Sequence, residues 1–381
     1  MHHPKNTFLG KVVLLVMLSL LGGCVDPVDP EFRYQEGLVY IDALVGTIEG
    51  ASYVSILEST EEFGINDNVF LSGAKVSFIK TDDQTQIDLL EEGELYLPPA
   101  NFKAQIGDTW ELKVELADGR EYSSLPEKVS APVPIQELVA AYEPELLFNE
   151  GLDEFTPGHS LSLTLEDPGE EENYYYWRFR SYEKLVNCVV CVNSIYRDGE
   201  CRTNPSTISQ IRKPYYTYAC ESDCWQIRYE DNINIFSDEF TNGTKISNLP
   251  VADIPLFTKR SILVELQQFS ISASAYRYYK TLKDIVDNNS GFNAPLPAAL
   301  VGNMSNPNNI NEFVLGRFTA ASTNVKTVFI DRTFVEGRPL ETILPGQYEG
   351  EEEPVPRPIV IFAPCNEGRF STGLRPTGWI D

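Results

Sequence analysis

Apolar and polar positions alternate along much of the chain. In WELKVELADGREYSS, Trp110, Leu112, Val114 and Leu116 fall on one face of an extended segment, and Glu111, Lys113 and Glu115 on the other. A half-buried strand demands this period of two. Asp118-Gly119 then supplies a pair that tolerates positive φ, and Arg120 to Ser123 begins a return strand, so the stretch predicts a hairpin. GLVYIDALVGTI, SYVSILES and GAKVSFIKTDDQT carry the same β-branched and aromatic alternation. Short strands at this spacing predict an immunoglobulin-like β-sandwich over residues 37–134.

Pro126, Pro132 and Pro134 in PEKVSAPVPIQEL mark a boundary, because repeated prolines cannot sit in central strands. Beyond it, LSLTLED, NYYYWRFRSYEKL, WQIRYEDNINIF, SILVELQQFSIS, EFVLGRFTAAS and VKTVFIDR all read as strands. Among them SASAYRYYKTLKDIVDNNSG predicts a single helix, with Ala275, Tyr279, Leu282 and Val286 as its apolar stripe and Gly291 as its stop. The expected fold class is therefore mainly β: an N-terminal immunoglobulin-like β-sandwich, then a larger antiparallel β domain over 135–335 with one packed α-helix. Residues 336–381 form an acidic, Pro-rich segment and a C-terminal tail. No internal repeat points to a solenoid or propeller.

The first residues follow a different rule. Lys5 and Lys11 precede an apolar run from Val12 to Leu21, broken only by Ser19, and Gly22-Gly23-Cys24 follows. This run is too short for a permanent span and has the order of an export signal. Leu21-Gly22-Gly23-Cys24 has the form of a lipobox, so residues 1–23 are read as a lipoprotein signal peptide and Cys24 as the lipidated first residue of the mature chain. Residues 24–36, Pro-rich and acidic, are read as a tether. Removing the signal leaves 28 basic against 56 acidic residues, a net charge of −28. Nucleic acid is not an expected partner, since phosphate contacts need clustered Lys and Arg. A polybasic membrane patch is also missing, which leaves the lipid as the membrane anchor. DNINIFSDEFTNG puts Ile233 and Ile235 where a calcium loop of the EF-hand kind needs oxygens. The mature chain keeps one histidine, His159, so multi-histidine zinc sites are excluded and a nucleophile–histidine pair has one option. In TPGHSLSLTLED it reads as an exposed turn residue just ahead of a strand.

Two features invite chemistry. Along Tyr174-Tyr175-Tyr176-Trp177-Arg178-Phe179-Arg180, alternation assigns Tyr175, Trp177 and Phe179 to the core and Tyr174, Tyr176, Arg178 and Arg180 to the other face. That second set reads as a surface ladder of stacked rings and guanidinium groups, and the same four residues are the candidate ligand-binding platform. Besides Cys24 there are six cysteines: Cys188, Cys191, Cys201, Cys220, Cys224 and Cys365. A zinc site would use Cys188, Cys191, Cys220 and Cys224 as CxxC and CxxxC pairs, and a redox centre would need CVVC at a helix start. An exported chain favours structural disulfides over both readings, with connectivity open. No metal, cofactor or catalytic residue is assigned.

Further residues carry a resemblance. Cys224-Trp225, Ser270 to Lys280, Pro297 with Gly302-Asn303, and Val314-Leu315-Gly316-Arg317-Phe318 resemble the pattern of the Bacteroidota lipoproteins known as domain of unknown function 4249. The hairpin, EYSSLPEKVSAPVPI and the lipobox are similar to that family's first part. At the C-terminus, where such proteins often have a Cys-rich stretch, this chain keeps Pro376 and Trp379 with a single Cys365. The family has no established activity; the resemblance implies a neighbour, since its members are typically encoded beside TonB-dependent outer-membrane receptors. The expectation is a lipid-anchored, non-enzymatic binding accessory of such an uptake system at the outer membrane, with the periplasmic or surface face and any small-molecule or glycan ligand left open. The alternatives are a surface hydrolase of the carboxylate-pair glycosidase type, which needs no histidine, and a structural or adhesive spacer.

Overall fold

The computed structural model describes residues 36–62, 65–149, 151, 153–169, 171–203, 215–229, 232–288, 300–340, 347–349 and 360–381. Cys24, the signal, the tether before residue 36, and Gly291 lie outside the described residues. Strands and antiparallel pairing dominate, with one helix among the described residues.

In the N-terminal unit the predicted hairpin forms between Thr109–Glu115 and Glu121–Ser124, with Val114 opposite Tyr122 and Gly119 at φ 90° in the turn. Thr109–Glu115 also pairs with Lys75–Lys80, placing Leu112 opposite Phe78. The apolar face of the hairpin is buried as the alternation demands, and Trp110, Leu112, Val114 and Leu116 share one core with Ile41, Val54, Phe78 and Tyr122. Strand Tyr53–Glu62 and strand Val39–Gly46 close the other side of that core. The result is a β-sandwich.

The second unit is built on Tyr174–Lys184, which pairs antiparallel with Ile262–Ile271, Trp225–Tyr229 and Asn234–Ser237. A three-stranded sheet of Ile135–Asn149, Glu154–Glu166 and Lys245–Pro255 packs against it. Tyr175, Trp177 and Phe179 meet Leu161, Leu163, Leu165, Val264 and Leu266 in that core, so the inward half of the aromatic strand is where alternation puts it.

One strand belongs to both units. Leu315–Ile330 is 16 residues long. Its first half runs parallel to Val39–Gly46, with Ala43 opposite Phe318; its second half runs antiparallel to Ile262–Ile271, with Ile262 opposite Ile330. Phe318 and Ala320 fill the first core, and Ile330 fills the second. Hydrogen bonding therefore crosses from residues before Pro134 to residues after it. The join is further fixed by a buried ion pair between Arg317, on this strand, and Glu127 of the first unit, 3% and 5% exposed. Ser272 and Ser274 donate to the Glu127 carboxylate at 2.7 and 3.0 Å. Ser272 also caps the helix Ala273–Asn288, accepting from the Ala275 amide at 3.1 Å. Asn303 clamps the backbone of Phe318, accepting from its N–H and donating to its carbonyl, each at 2.9 Å. Gly316, at φ 92°, passes so close to the neighbouring strand that a Cβ there would lie 2.1 Å from the Ile41 carbonyl oxygen. A Cβ on Gly302 would lie 1.8 Å from the Gly316 carbonyl.

The helix differs from expectation in its buried stripe. Ala275 and Tyr278 are buried, Tyr279 and Leu282 half-buried, and Val286 is 62% exposed. The aromatic contacts come from the first turns, where Tyr276 and Tyr279 meet Tyr174 and Tyr176. Later turns of an element that packs only through its beginning need no apolar face.

Replacing Gly316 with alanine combines left-handed backbone strain with a backbone clash. The Gly316→Ala variant is expected to lose more than about 3 kcal/mol in urea unfolding. A loss under about 1 kcal/mol would show that the two strands can separate there at little cost.

Candidate functional site

The outer half of the aromatic strand is not the open ladder that alternation suggests. The Tyr176 ring stacks on Tyr279 at 4.8 Å and 9°, and Tyr174 meets Tyr276 at 5.1 Å, both beneath the helix. Arg178 lies 4.8 Å from the Phe269 ring centre and 5.6 Å from that of Tyr53, rather than on its own strand's tyrosines. Arg180 makes a two-pronged pair with Glu265 at 2.9 and 3.1 Å. A helix folded back from Ile271 covers this face, a non-local event that strand periodicity does not register. Beside it, Tyr53 donates to Asp42 Oδ2 at 2.8 Å. Burial pushes the Asp42 carboxyl up, while the Tyr53 hydrogen bond and the Arg178 charge act the other way. Tyr174, Tyr176, Arg178 and Arg180 thus stand in a half-buried seam, and none of them lines either of the two cavities described below.

All six cysteines of the body are paired as disulfides: Cys188–Cys220, Cys191–Cys201 and Cys224–Cys365. The Sγ atoms of Cys188, Cys220 and Cys224 lie within 4.8 Å of one another, the grouping a zinc ion would use, but each is spent in a bridge. CVVC divides because its two thiols leave for different neighbours. Cys188 crosses from Asn187–Val192 to the paired strand Tyr215–Cys220, and Cys191 reaches the hairpin of Ile195–Arg197 and Glu200–Arg202. Cys224–Cys365 anchors the tail beside Trp225, where Trp379 packs edge-on against Trp225 at 5.9 Å and against Phe329 at 5.4 Å.

Two cavities open at the end of the shared strand, and the tail reaches the first of them through Trp379. One, of about 430 Å³, is lined by Lys184, Lys259, Arg260, Ser261, Thr333 and Trp379. The other, of about 470 Å³, is lined by Tyr142, His159, Phe329, Asp331 and Val335 among others. The loop Asp331–Val335 contributes to both. Its turn is held by Asp331, whose Oδ1 accepts from the Thr333 amide at 2.9 Å, the Thr333 hydroxyl at 2.6 Å and the Ser261 hydroxyl at 3.3 Å. Those bonds from Thr333 hold the Asp331 carboxyl below its usual range.

Beneath the loop lies Arg332, 1% exposed, with no hydrogen-bond partner at Nε or Nη2. Burial lowers its pKa to about 10, against the opposing charge of Glu183 and with the like charge of Arg228. Glu183, itself buried, accepts from Arg260 at 3.1 Å and from Thr258 at 2.8 Å. Alternation held the clue to Arg332: in VFIDR, Val328, Ile330 and Arg332 share a parity, and the first two face the core.

His159 is not a turn residue. It sits within Glu154–Glu166, opposite Tyr142 and Ile254, is 4% exposed, and packs on the Tyr142 ring at 5.6 Å. Its Nδ1 has no hydrogen-bond partner. Burial, then the nearby Arg332 charge, lowers its pKa to about 4. The Pro157-Gly158 pair reads as a turn in sequence, yet Gly158 serves close packing, because a Cβ there would lie 2.4 Å from the Ile254 carbonyl oxygen.

A buried carboxylate pair also exists, Asp167 and Asp238, 3% and 0% exposed. Tyr175 donates to Asp167 at 2.5 Å, and the Asn173 amide to Asp238 at 2.9 Å. Burial pushes the Asp238 carboxyl up, and the adjacent Asp167 adds to the effect. The pair ties two loops together inside the fold and lines neither of the two cavities.

The family model described as domain of unknown function (DUF4249) matches residues 25–327, most of the chain, and the chain belongs to that family. No curated protein matches it. The motif residues Ser272, Ser274, Gly302, Asn303, Gly316 and Arg317 all meet at the join between the two units.

The His159 environment has a measurable sign. With its folded pKa at about 4 against an ordinary 6.5, the unfolded chain takes up the proton first as pH falls. Stability present above pH 6.5 is thus lost towards pH 4, by about 3 kcal/mol for this group. Urea unfolding of His159→Gln is expected to show a pH dependence weaker by that amount, and an unchanged profile would place His159 in water. Loss of the Cys224–Cys365 bridge, which closes 141 residues, is expected to cost about 4 kcal/mol in the Cys224→Ser, Cys365→Ser double variant. It should also shift tryptophan emission as Trp379 leaves Trp225.

Proposed function

We propose that this member of the family is a lipid-anchored cell-envelope protein that binds a ligand for a TonB-dependent outer-membrane uptake system and performs no chemistry on it. The observation that carries the reading is the pairing of all six cysteines of the body, which leaves Cys24 alone at the position that lipidation uses. Structural bridges of this kind belong to exported proteins. A mature charge of −28 without a polybasic run in the sequence favours the lipid as the means of membrane attachment. The two cavities at the end of the shared strand offer a place for a ligand, and the family resemblance suggests the receptor as partner. Hydrolysis by a carboxylate pair gains no support from Asp167 and Asp238, which are sealed from substrate.

The test is purification of the untagged native protein from outer membranes in mild detergent, followed by native mass spectrometry. A TonB-dependent receptor is expected to co-purify, the mature N-terminus is expected to carry lipid on Cys24, and Cys24→Ser is expected to leave the membrane fraction. Recovery of the lipoprotein with neither receptor nor ligand would end the uptake reading.

A further inference from the structure

The hairpin of Ile135–Asn149 and Glu154–Glu166 outruns the sheet it belongs to. Its third strand, Lys245–Pro255, stops with Pro255 opposite Gly158, whose partner on the other side is Glu143. Pairing then slips between Glu143 and Leu147, where Pro144 removes a ladder donor. It resumes as a two-stranded ribbon, with Leu147 opposite Thr156, Phe148 opposite Phe155 and Asn149 opposite Glu154. Near the ribbon's end the Phe148 and Phe155 rings meet edge to face at 5.2 Å. This cross-strand contact holds the two strands together, yet it leaves Phe148 52% and Phe155 51% exposed. A pair of threonines would keep the same register without presenting apolar surface to water.

The surroundings of the rings have one sign of charge. From Glu143 to Pro157 the sequence holds five acids and no base. Glu143, Glu145, Asp153 and Glu154 are exposed, and among the described residues none of them meets a Lys or Arg. An aromatic tip in an acidic collar is repelled by anionic lipid, whereas it complements an apolar socket with Lys or Arg at its rim.

The place of the ribbon in the fold also turns it from its own anchor. At its root Tyr142 donates to the Glu336 carbonyl, and a Cβ on Gly337 would lie 2.8 Å from the Pro157 ring, so the ribbon springs from the end of the shared strand beyond Ile330. Val39–Gly46, near the start of the described chain, lies at the opposite end, with Tyr40 beside Leu315. The strand between these ends, 16 residues long, spans about 50 Å. A lipid on Cys24 holds the far end of the molecule from the rings.

We propose that this hairpin tip, Phe148 and Phe155 within their acidic collar, is a docking point for a second envelope protein, which receives the two rings in an apolar socket rimmed by Lys or Arg. The aromatic pair supplies the buried anchor, and the acids supply orientation and discrimination.

The test is photo-crosslinking in intact cells that make the full-length lipoprotein, with p-benzoylphenylalanine in place of Phe148. The expected adduct is one other envelope protein, joined through an apolar peptide that lies beside Lys or Arg in its sequence. Its yield is expected to fall at least tenfold when Glu143→Lys and Glu145→Lys are added, because both rings stay while the collar changes sign. Should the probe disturb the ring pair, the same probe at Glu154 keeps both rings and is expected to give the same adduct. As a control, the probe at Leu90, 76% exposed on the first unit, is expected to miss that protein. No protein adduct, an adduct with lipid or with a second copy of this chain, a yield unchanged by the charge inversion, or the same adduct from Leu90 overturns the docking point. The inference stands apart from the uptake reading. An adduct with an envelope protein other than a TonB-dependent receptor keeps the docking point and counts against the receptor as its partner, whereas receptor co-purification with no adduct at Phe148 or Glu154 removes this inference alone.

Discussion

Arg317 and Glu127 are two charges buried at a place where neither has water to turn to, and the join between the two units is built around satisfying them. Such a pair is weak evidence for stability on its own, since its desolvation offsets much of its attraction. Its effect here is on register. Arg317 sits in the half of the shared strand that runs parallel to Val39–Gly46. A slip of one residue would turn every side chain of that strand to the opposite face, carrying Arg317 away from Glu127 and Phe318 out of the core. The serines at the helix start and Asn303 complete the carboxylate's shell, so the ion pair also fixes the helix over the aromatic strand. Two sandwiches are thereby held as one hydrogen-bonded body rather than as beads on a linker.

Local periodicity was readable because its causes are local. The hairpin at Asp118-Gly119, the inward set Tyr175, Trp177 and Phe179, and the existence of the helix each follow from spacing within a few residues. What escaped was decided by partners far away in sequence. The helix that covers Tyr174 and Tyr176 approaches from about a hundred residues downstream, so an alternation rule could name their face but not what lies on it. His159 was misread for the same reason: Pro157-Gly158 has the chemistry of a turn, and only the close approach of Ile254 shows why a glycine is needed within a strand. The cysteine pairing illustrates a different limit. An even set of six cysteines allows bridges, whereas connectivity depends on which strands lie side by side.

The recognisable motif and the candidate site occupy different parts of the molecule. Ser272, Ser274, Gly302, Asn303, Gly316 and Arg317 build the join, where close backbone packing and buried polar groups leave little freedom of choice. These residues report how the chain folds, and a ligand has no access to Glu127 at 5% exposure. Fold and site are separable in this sense, and belonging to the family speaks to the first.

The match to the family ends at residue 327, just short of the loop that carries Arg332 and Thr333, and well before Cys365 and Trp379. The end of a sandwich is where strands stop pairing, so loops there change without disturbing either core. The Cys224–Cys365 bridge then supplies what such a region otherwise lacks, a covalent tie that brings the tail back to Trp225 and sets Trp379 at the rim of a cavity. A rigid join upstream and a tethered, cation-bearing rim downstream divide the work between the two ends of the shared strand. Its first half determines that the units stay together, and the segment beyond its last residue, Ile330, contributes to the lining of both cavities.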